Sequence, residues 1–129
     1  MGNVKATTDR YRRILQVNEI IGMIATRGRR FFLHKGKTAG MVFSGGFLYW
    51  INEWDRSRVN LNRGNWGDWS IRHGGTLRTV IQCFRDFVMR GTVIKNDHLF
   101  TNWGYDPEEM EEIKSALRER GMLAEKETV

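Results

Sequence analysis

Few residues in this sequence have the types and spacing that metal binding requires. The chain has three histidines, His34, His73 and His98, and a single cysteine, Cys83. A structural metal site needs several such ligands at short, regular spacing, and the sequence contains no such pair. We therefore predict no metal site.

A phosphate-binding loop is the second chemistry that the residues bring to mind. Gly36-Lys37-Thr38 matches the end of such a loop, but the position five residues before Gly36, where the loop needs glycine, is Phe31. A GxGxxG dinucleotide pattern is also missing from the sequence. We interpret the segment as a turn between two strands and expect no cofactor.

A histidine paired with a carboxylate is the remaining arrangement with catalytic potential. The candidates are His73 or His98 with Glu53, Asp55 or Asp68. Catalysis requires these groups to converge, and no nucleophile stands in a recognisable motif beside them. We predict no catalytic residue and keep an enzyme with such a site as the third interpretation.

Arginine, lysine and tryptophan form a more informative pattern. Cations contact phosphates and flat rings stack on unpaired bases, while the same residue types also anchor protein interfaces. The candidate binding residues are Arg27, Arg29, Arg30, Lys35, Lys37, Trp50, Arg56, Arg58, Arg63, Trp66, Trp69 and Arg72. In this interpretation the first five basic residues contact phosphates and Trp66 or Trp69 stacks. The alternative is that both tryptophans fold into the core while the arginines stay solvated.

Length and composition place these residues on one domain. The 129 residues, 40% of them hydrophobic, suit a single packed core, so we expect one domain over 1–129 with flexible ends at 1–7 and 124–129. The lone cysteine lies in an apolar helical run and indicates a reducing compartment. No apolar stretch approaches the roughly 18 residues of a membrane span. We expect a cytoplasmic protein without membrane contact.

Charge is distributed unevenly along the chain. Residues 1–40 contain nine basic and two acidic residues, 41–105 contain eight and five, and 106–129 contain four and eight. The basic front attracts polyanions, although an acidic protein surface would fit it as well.

Periodicity predicts the elements that must position the candidate residues. Apolar residues at spacings of three and four predict a helix over 8–26, with Thr8 as its cap and Gly28 after its end. Strands are predicted at 29–34, 38–43 and 47–52 as a three-stranded meander, with 58–61 as a possible fourth strand. A loop from 62 to 69 follows.

Two further helices are predicted in the second half. One is capped by Thr76 and ends at Gly91, and the other is capped by Asp106, has Pro107 in its first turn and ends at Gly121. The fold class is α+β, a small antiparallel sheet of three to four strands packed with three helices in the order α-β-β-β-(β)-α-α.

Alternation along the third predicted strand separates two faces. Phe47, Tyr49 and Ile51 share one face, and Leu48, Trp50 and Asn52 share the other. One face must be less buried, and Trp50 is then the candidate contact. The apolar stripe of the first helix, Ile14, Val17, Ile21 and Ile24, is open to two interpretations, an internal core or the seam of a homodimer.

Four segments together resemble small bacteriophage and prophage proteins. They are Gly28-Arg29-Arg30-Phe31-Phe32, Tyr49-Trp50-Ile51, His73-Gly74-Gly75-Thr76-Leu77-Arg78 and Trp103-Gly104-Tyr105, and the resemblance spans roughly residues 18–123. It implies a viral source and a bacterial host cytoplasm. It also favours two function classes, handling of nucleic acid and inhibition of a host defence complex, and it carries over no functional residue.

The leading hypothesis is a small basic, non-enzymatic phage-type binding protein that engages nucleic acid or a nucleoprotein complex. Its basic helix-hairpin end and its Arg/Trp loop would make the contacts, and its binding should weaken steeply with salt. The alternative is a protein-directed inhibitor of a bacterial defence complex, of anti-CRISPR or anti-restriction type. In that case the same surface meets an acidic protein patch, or the acidic third helix enters a basic nucleic-acid channel.

Overall fold

The chain folds as α+β, which confirms the predicted class. The computed structural model describes residues 4–27, 30–62, 75–94 and 106–124. The described helices are α1 (Val4–Ala25), α2 (Gly75–Arg90) and α3 (Pro107–Glu119). The strands are β1 (Leu33–His34), β2 (Lys37–Thr38), β3 (Gly40–Ser44), β4 (Phe47–Ile51) and β5 (Arg58–Asn60). No helix in the described part of the chain is long and apolar enough to cross a membrane.

Helix α1 supplies six buried residues to the core. Its apolar positions recur every three or four residues, so they share one broad stripe, and the buried residues are Ile14, Val17, Ile20, Ile21, Ile24 and Ala25. This stripe is covered within the chain, which excludes it as a dimer seam. The helix begins at Val4, so Thr8 is not its cap. The predicted stop at Gly28 lies outside the described residues.

The side chain of Asn18 on α1 forms hydrogen bonds with the backbone of β3. Asn18 donates from Nδ2 to the carbonyl of Met41 (3.0 Å) and accepts at Oδ1 from the Met41 amide (2.8 Å). Met41 lies on β3, an edge strand of its sheet, so the Asn18 amide satisfies backbone groups that a further strand would otherwise pair. A Cβ on Gly40 would lie 3.3 Å from Asn18 Oδ1, so glycine permits this close approach.

Two arginines of α1 donate hydrogen bonds to carbonyl groups at the C-terminal end of α2. Arg13 Nε donates to the carbonyl of Val88 (3.0 Å) and Arg10 Nε to that of Met89 (3.2 Å). The last carbonyls of a helix lack partners within it and carry partial negative charge, so cations are favoured there. Gly91, at φ +71°, ends α2 as predicted, with its amide bonded to the carbonyl of Phe87 (2.7 Å).

The predicted three-stranded meander is wrong in its first strand. Among the described residues 30–34 of the predicted strand 29–34, only 33–34 form a strand, and they pair with β2 in a separate two-stranded hairpin. Phe32 explains the break, because its φ of +66° is incompatible with a strand. Its side chain is buried and contacts Trp50 edge to face, with 5.3 Å between ring centroids. Burying Phe32 against Trp50 therefore requires the chain to turn before the hairpin.

The larger sheet has the order β3-β4-β5 and is antiparallel throughout. Strand β5 confirms the predicted fourth strand. The first strand of this sheet is β3, which begins at Gly40. Both hairpins turn over two residues with positive φ, Lys35-Gly36 and Gly45-Gly46, which is the type I′ geometry. The interpretation of Gly36-Lys37-Thr38 as a hairpin turn is confirmed.

The two faces of this sheet differ in exposure. Leu48 and Trp50 are fully buried, whereas Phe47 on the opposite face is 49% exposed and Tyr49 is half-buried. The proposed surface contact through Trp50 is therefore wrong. Trp50 pairs with Met41 on one side and Val59 on the other, and these apolar neighbours share its buried face.

Helix α3 has the termini predicted for it. Asp106 caps its start by accepting from the Glu109 amide (2.7 Å), Pro107 occupies the first turn, and Gly121 follows its end at φ +72°. Helix α2 begins at Gly75, one residue before the predicted cap Thr76. The segments after the two helices pair in parallel, since the Ile94 amide donates to Met122 (2.8 Å) and the Ala124 amide donates to Ile94 (2.9 Å).

We expect the Asn18→Ala substitution to lower the free energy of unfolding by about 2 kcal/mol, because it leaves the amide and carbonyl of Met41 without their partner. Urea denaturation measures this loss. The control is Glu19→Ala on the same helix, which removes an exposed ion pair with Arg120 and should cost less than about 1 kcal/mol. Equal losses in the two variants would contradict the role given to Asn18.

Candidate functional site

Five exposed basic residues lie on or beside two turns of the β-structure that a hydrogen bond joins. We call this group the basic end and define it as Arg30, Lys35, Lys37, Arg56 and Arg58. All five side chains belong to exposed residues. They lie on the hairpin β1–β2, on its entry and on the segment that connects β4 to β5.

Lys35 and Lys37 are held by the first hairpin. Lys35 is the first turn residue, at φ +50°, and Lys37 pairs with His34 in β2. Arg30 stands at the entry to the hairpin at φ +56°, and its amide donates to the carbonyl of Arg27 (3.0 Å). The short hairpin thus presents three cations within eight residues.

Arg56 joins the β4–β5 connection to this hairpin. Its Nη1 donates to the carbonyl of Thr38 at 2.7 Å, across 18 residues of sequence. The connection itself is closed by Asn52, whose amide donates to the carbonyl of Ser57 (3.0 Å) and whose Nδ2 donates to Ser57 Oγ (2.9 Å). Asn52 is buried, so these bonds fix the turn on which Arg56 stands. The Arg56 guanidinium is consequently bonded to the residue that follows Lys37 in the chain.

Arg58 extends the basic end onto the exposed face of the larger sheet. It pairs with Ile51, and its guanidinium carbon lies 5.7 Å from the centre of the Tyr49 ring. A cation at this distance over an aromatic face is attracted by the ring's quadrupole. Arg58 therefore connects the cations of the turns to the aromatic residues of β4.

Arg27 does not belong to this group. Its Nε and Nη2 both contact Oε1 of Glu112 on α3, the first at 3.0 Å. This ion pair engages the guanidinium that was expected to contact phosphate, and it fixes the end of α1 to α3. Five of the twelve sequence candidates lie outside the described residues: Arg29, Arg63, Trp66, Trp69 and Arg72.

The exposed aromatic face is the feature that sequence reasoning missed. Both faces of β4 are apolar, so alternation alone could not decide which one is exposed. The signal lay in β5, where Val59 is flanked by Arg58 and Asn60, and a strand with one apolar residue must turn that residue to the core. Using it requires the register Trp50 with Val59, which the sequence does not state.

A second basic group stands on the helices, and two of its members, Arg10 and Arg85, make contacts within the fold. Arg10, Arg85 and Arg90 line a small pocket of about 210 Å³ together with Asp86. Arg85 Nη2 lies 2.9 Å from Asp86 Oδ1, and Arg10 is bonded to the end of α2. The pocket thus places a carboxylate and the C-terminus of α2 beside its arginines, and both features weaken the attraction of these arginines for an anion.

Burial shifts the pKa of two titratable groups on the helices. Burial lowers the pKa of Arg13, Asp9 opposes the shift, and the neighbouring cations Arg12 and Arg10 lower it further. Burial also raises the pKa of the Cys83 thiol, and Asp86 adds to this increase while Arg85 opposes it. A thiol held in its neutral form behaves as part of the apolar packing on α2, where Cys83 contacts the core.

The residues considered for catalysis do not form a described site. Glu53 is buried next to Asn52 and Asp55 is exposed, whereas His73, Asp68 and His98 lie outside the described residues. Within the described ranges, no three histidine, cysteine, aspartate or glutamate side chains are grouped as metal ligands.

The exposed side of α3 is acidic. Its exposed glutamates, Glu108, Glu111, Glu112 and Glu119, line a shallow groove that also includes Met23 and Arg120. Arg118 and Arg27 pair with Glu111 and Glu112, so part of this charge is neutralised within the chain. The basic end and the acidic helix therefore lie on different elements.

The sequence model of the family described as YoqU matches residues 7–129. The chain therefore belongs to the YoqU family. No curated protein and no solved structure matches it.

We expect Lys35→Asn to raise the free energy of unfolding by about 1 kcal/mol. Asparagine tolerates the left-handed conformation of the first type I′ turn position, whereas lysine is strained there. Thermal and urea denaturation measure the gain. The control is Lys37→Asn, which makes the same replacement in an extended strand and should give no gain. A stabilised Lys37→Asn or an unchanged Lys35→Asn would contradict this account.

We expect iodoacetamide to alkylate Cys83 with a pH profile displaced to higher pH in the folded protein. The neutral thiol is favoured by burial, so the reactive thiolate forms at higher pH than in the unfolded chain. The control is the same protein in urea, and Cys83 is the sole cysteine, so mass spectrometry reports one site. Coincident profiles would exclude the raised pKa.

Proposed function

We propose that this member of the YoqU family is a non-enzymatic nucleic-acid-binding protein whose basic end contacts the phosphate backbone. The observation that supports it best is the hydrogen bond from Arg56 to the carbonyl of Thr38, because it brings the β4–β5 turn beside the hairpin that holds Lys35 and Lys37. Cations from separate turns then face a ligand together. Such a grouping suits a polyanion with regularly spaced charges.

The local charge balance favours this proposal. Residues 30–62 contain five basic residues, all at the basic end, and two acidic residues, Glu53 and Asp55. Glu53 is buried, so Asp55 is the one exposed carboxylate of this segment. Each phosphate that these cations neutralise releases condensed counterions, which stabilises the complex at low salt.

The backbone of the basic end supports a role for its long side chains. Arg30, Lys35 and Arg56 all have positive φ, at +56°, +50° and +60°. This conformation costs an ordinary residue about 1–2 kcal/mol, and glycine or asparagine would relieve it. Strained residues of this kind concentrate at functional surfaces. A requirement for cations in binding would explain why these three strained positions hold arginine and lysine.

A phage origin and a cytoplasmic location complete the proposal. The family name resembles the naming of Bacillus phage and prophage genes. A phage protein that binds nucleic acid would act in the cytoplasm of the bacterial host. This source also fits the sequence resemblance to small phage and prophage proteins.

The acidic side of α3 favours a second candidate function. Exposed glutamates at Glu108, Glu111, Glu112 and Glu119 resemble a row of phosphate charges. A protein-directed inhibitor would present them to the basic channel of a defence complex. A stable complex with such a purified partner, formed without nucleic acid and lost on substituting these glutamates, would favour this candidate over nucleic-acid binding.

The proposed function is tested by fluorescence-anisotropy titration of labelled DNA and RNA at several salt concentrations. Replacing Lys35 and Lys37 by glutamine should weaken binding and reduce the slope of log K against log salt by about 2, because each phosphate contact contributes about 0.9 on duplex DNA.

The matched control replaces Arg12 and Arg90 by glutamine. This variant loses the same two charges from exposed positions on the helices and should retain the slope of the unmodified protein. Equal effects of the two double variants would mean attraction by net charge alone. No binding to any nucleic acid at low salt would overturn the proposal.

A further inference from the structure

We propose that the exposed face of the larger sheet binds the bases of a single-stranded nucleic acid. We define this stacking face as Phe47, Tyr49 and Arg58. The inference rests on the proposed function and specifies its ligand as single-stranded rather than duplex. It assigns base contacts to β4 and leaves phosphate contacts to the basic end.

The first support is the placement of the two aromatic rings. Phe47 and Tyr49 are two residues apart on one strand, so they project from the same face, with backbone positions roughly 7 Å apart. Phe47 is 49% exposed although it is a large apolar residue. Its cross-strand neighbour is Ser44, and Tyr49 lies between Val42 and Asn60. Small or polar neighbours leave the rings as the largest flat groups on this face.

The second support is Arg58, which links the rings to the basic end. Its guanidinium lies over the Tyr49 ring, at 5.7 Å from the ring centre. Arginine offers a flat cation that stacks on a base and also contacts phosphate. Arg56 lies two residues before Arg58 in the chain, and its side chain donates a hydrogen bond to the hairpin that contains Lys37. A nucleic-acid strand whose bases stack on β4 would therefore have the cations of the basic end beside its backbone.

Stacking requires bases with free faces, and this requirement selects single strands. In a duplex the base faces are covered by their neighbours, and proteins read the edges with an element that enters a groove. The stacking face lies on a short three-stranded sheet and presents rings rather than hydrogen-bonding side chains. Every base has a π-face, so stacking of this kind tolerates many sequences.

The test compares an oligothymidylate of about 12 nucleotides with a duplex of the same length, both labelled and titrated at one salt concentration. Phe47→Leu keeps an apolar side chain but removes the ring, and we expect it to weaken oligothymidylate binding about tenfold while duplex binding changes less than about twofold. Tyr49→Leu should have a smaller effect of the same selectivity, because the Arg58 guanidinium already lies over the Tyr49 ring. Unchanged urea midpoints show that these variants remain folded.

The matched control is Leu15→Ala, which alters an apolar residue of similar exposure, 67%, on helix α1. It should change neither affinity. Ultraviolet cross-linking to oligothymidylate, followed by mass spectrometry, should place the cross-links on Phe47 or Tyr49.

The outcomes separate this inference from the proposed function. Equal affinity for both ligands, with no effect of Phe47→Leu but a loss in the Lys35 and Lys37 variant, would overturn the stacking face and retain phosphate binding. Cross-links confined to other residues would overturn it as well. Failure of both ligands to bind at low salt would overturn the two proposals together.

Discussion

Burial of helix α1 on several sides is the constraint on which the rest of this fold depends. Its apolar stripe contributes six buried residues, and its polar side chains bind the neighbouring elements directly. Asn18 pairs with the edge of β3, Arg13 closes the end of α2, and Glu19 contacts Arg120 beyond α3. The contacts of Asn18 and Arg13 satisfy backbone groups that are costly to leave unpaired, whereas the exposed pair of Glu19 with Arg120 adds little. The helix thereby fixes the orientation of its neighbours as well as their proximity.

This arrangement determines which side of the sheet remains open. Met41, Leu48, Trp50 and Val59 turn toward the core, so the alternate residues of β4 must lie on the other face. Phe32 packs against the same Trp50 and draws the first hairpin toward the end of the sheet where β5 begins. The exposed rings and the basic end are thus consequences of how one apolar layer is covered.

The sequence predicted best where a local rule determines the structure. The start of α3 needs only Asp106 and Pro107, because a cap and a first-turn proline act within one turn of helix. Gly36 likewise favours a two-residue turn, because glycine readily adopts the positive φ of its position. Prediction failed where distant residues decide. The position of Phe32 depends on Trp50, the ion pair of Arg27 depends on Glu112, and the buried side of β4 depends on its register with β5.

In the function proposed above, the basic end and the stacking face would make the two kinds of contact that single-strand binding combines. Phosphate contacts by Lys35, Lys37 and Arg56 are long-ranged and sensitive to salt, whereas stacking on Phe47 is short-ranged and largely indifferent to it. Arg58 stands between them because its guanidinium is both charged and flat. Salt would therefore change how strongly a strand is held, while ring substitutions would change which kind of strand is held. Removing the basic end should leave a weak binder that still prefers single strands, and removing the rings should leave a salt-sensitive binder without that preference.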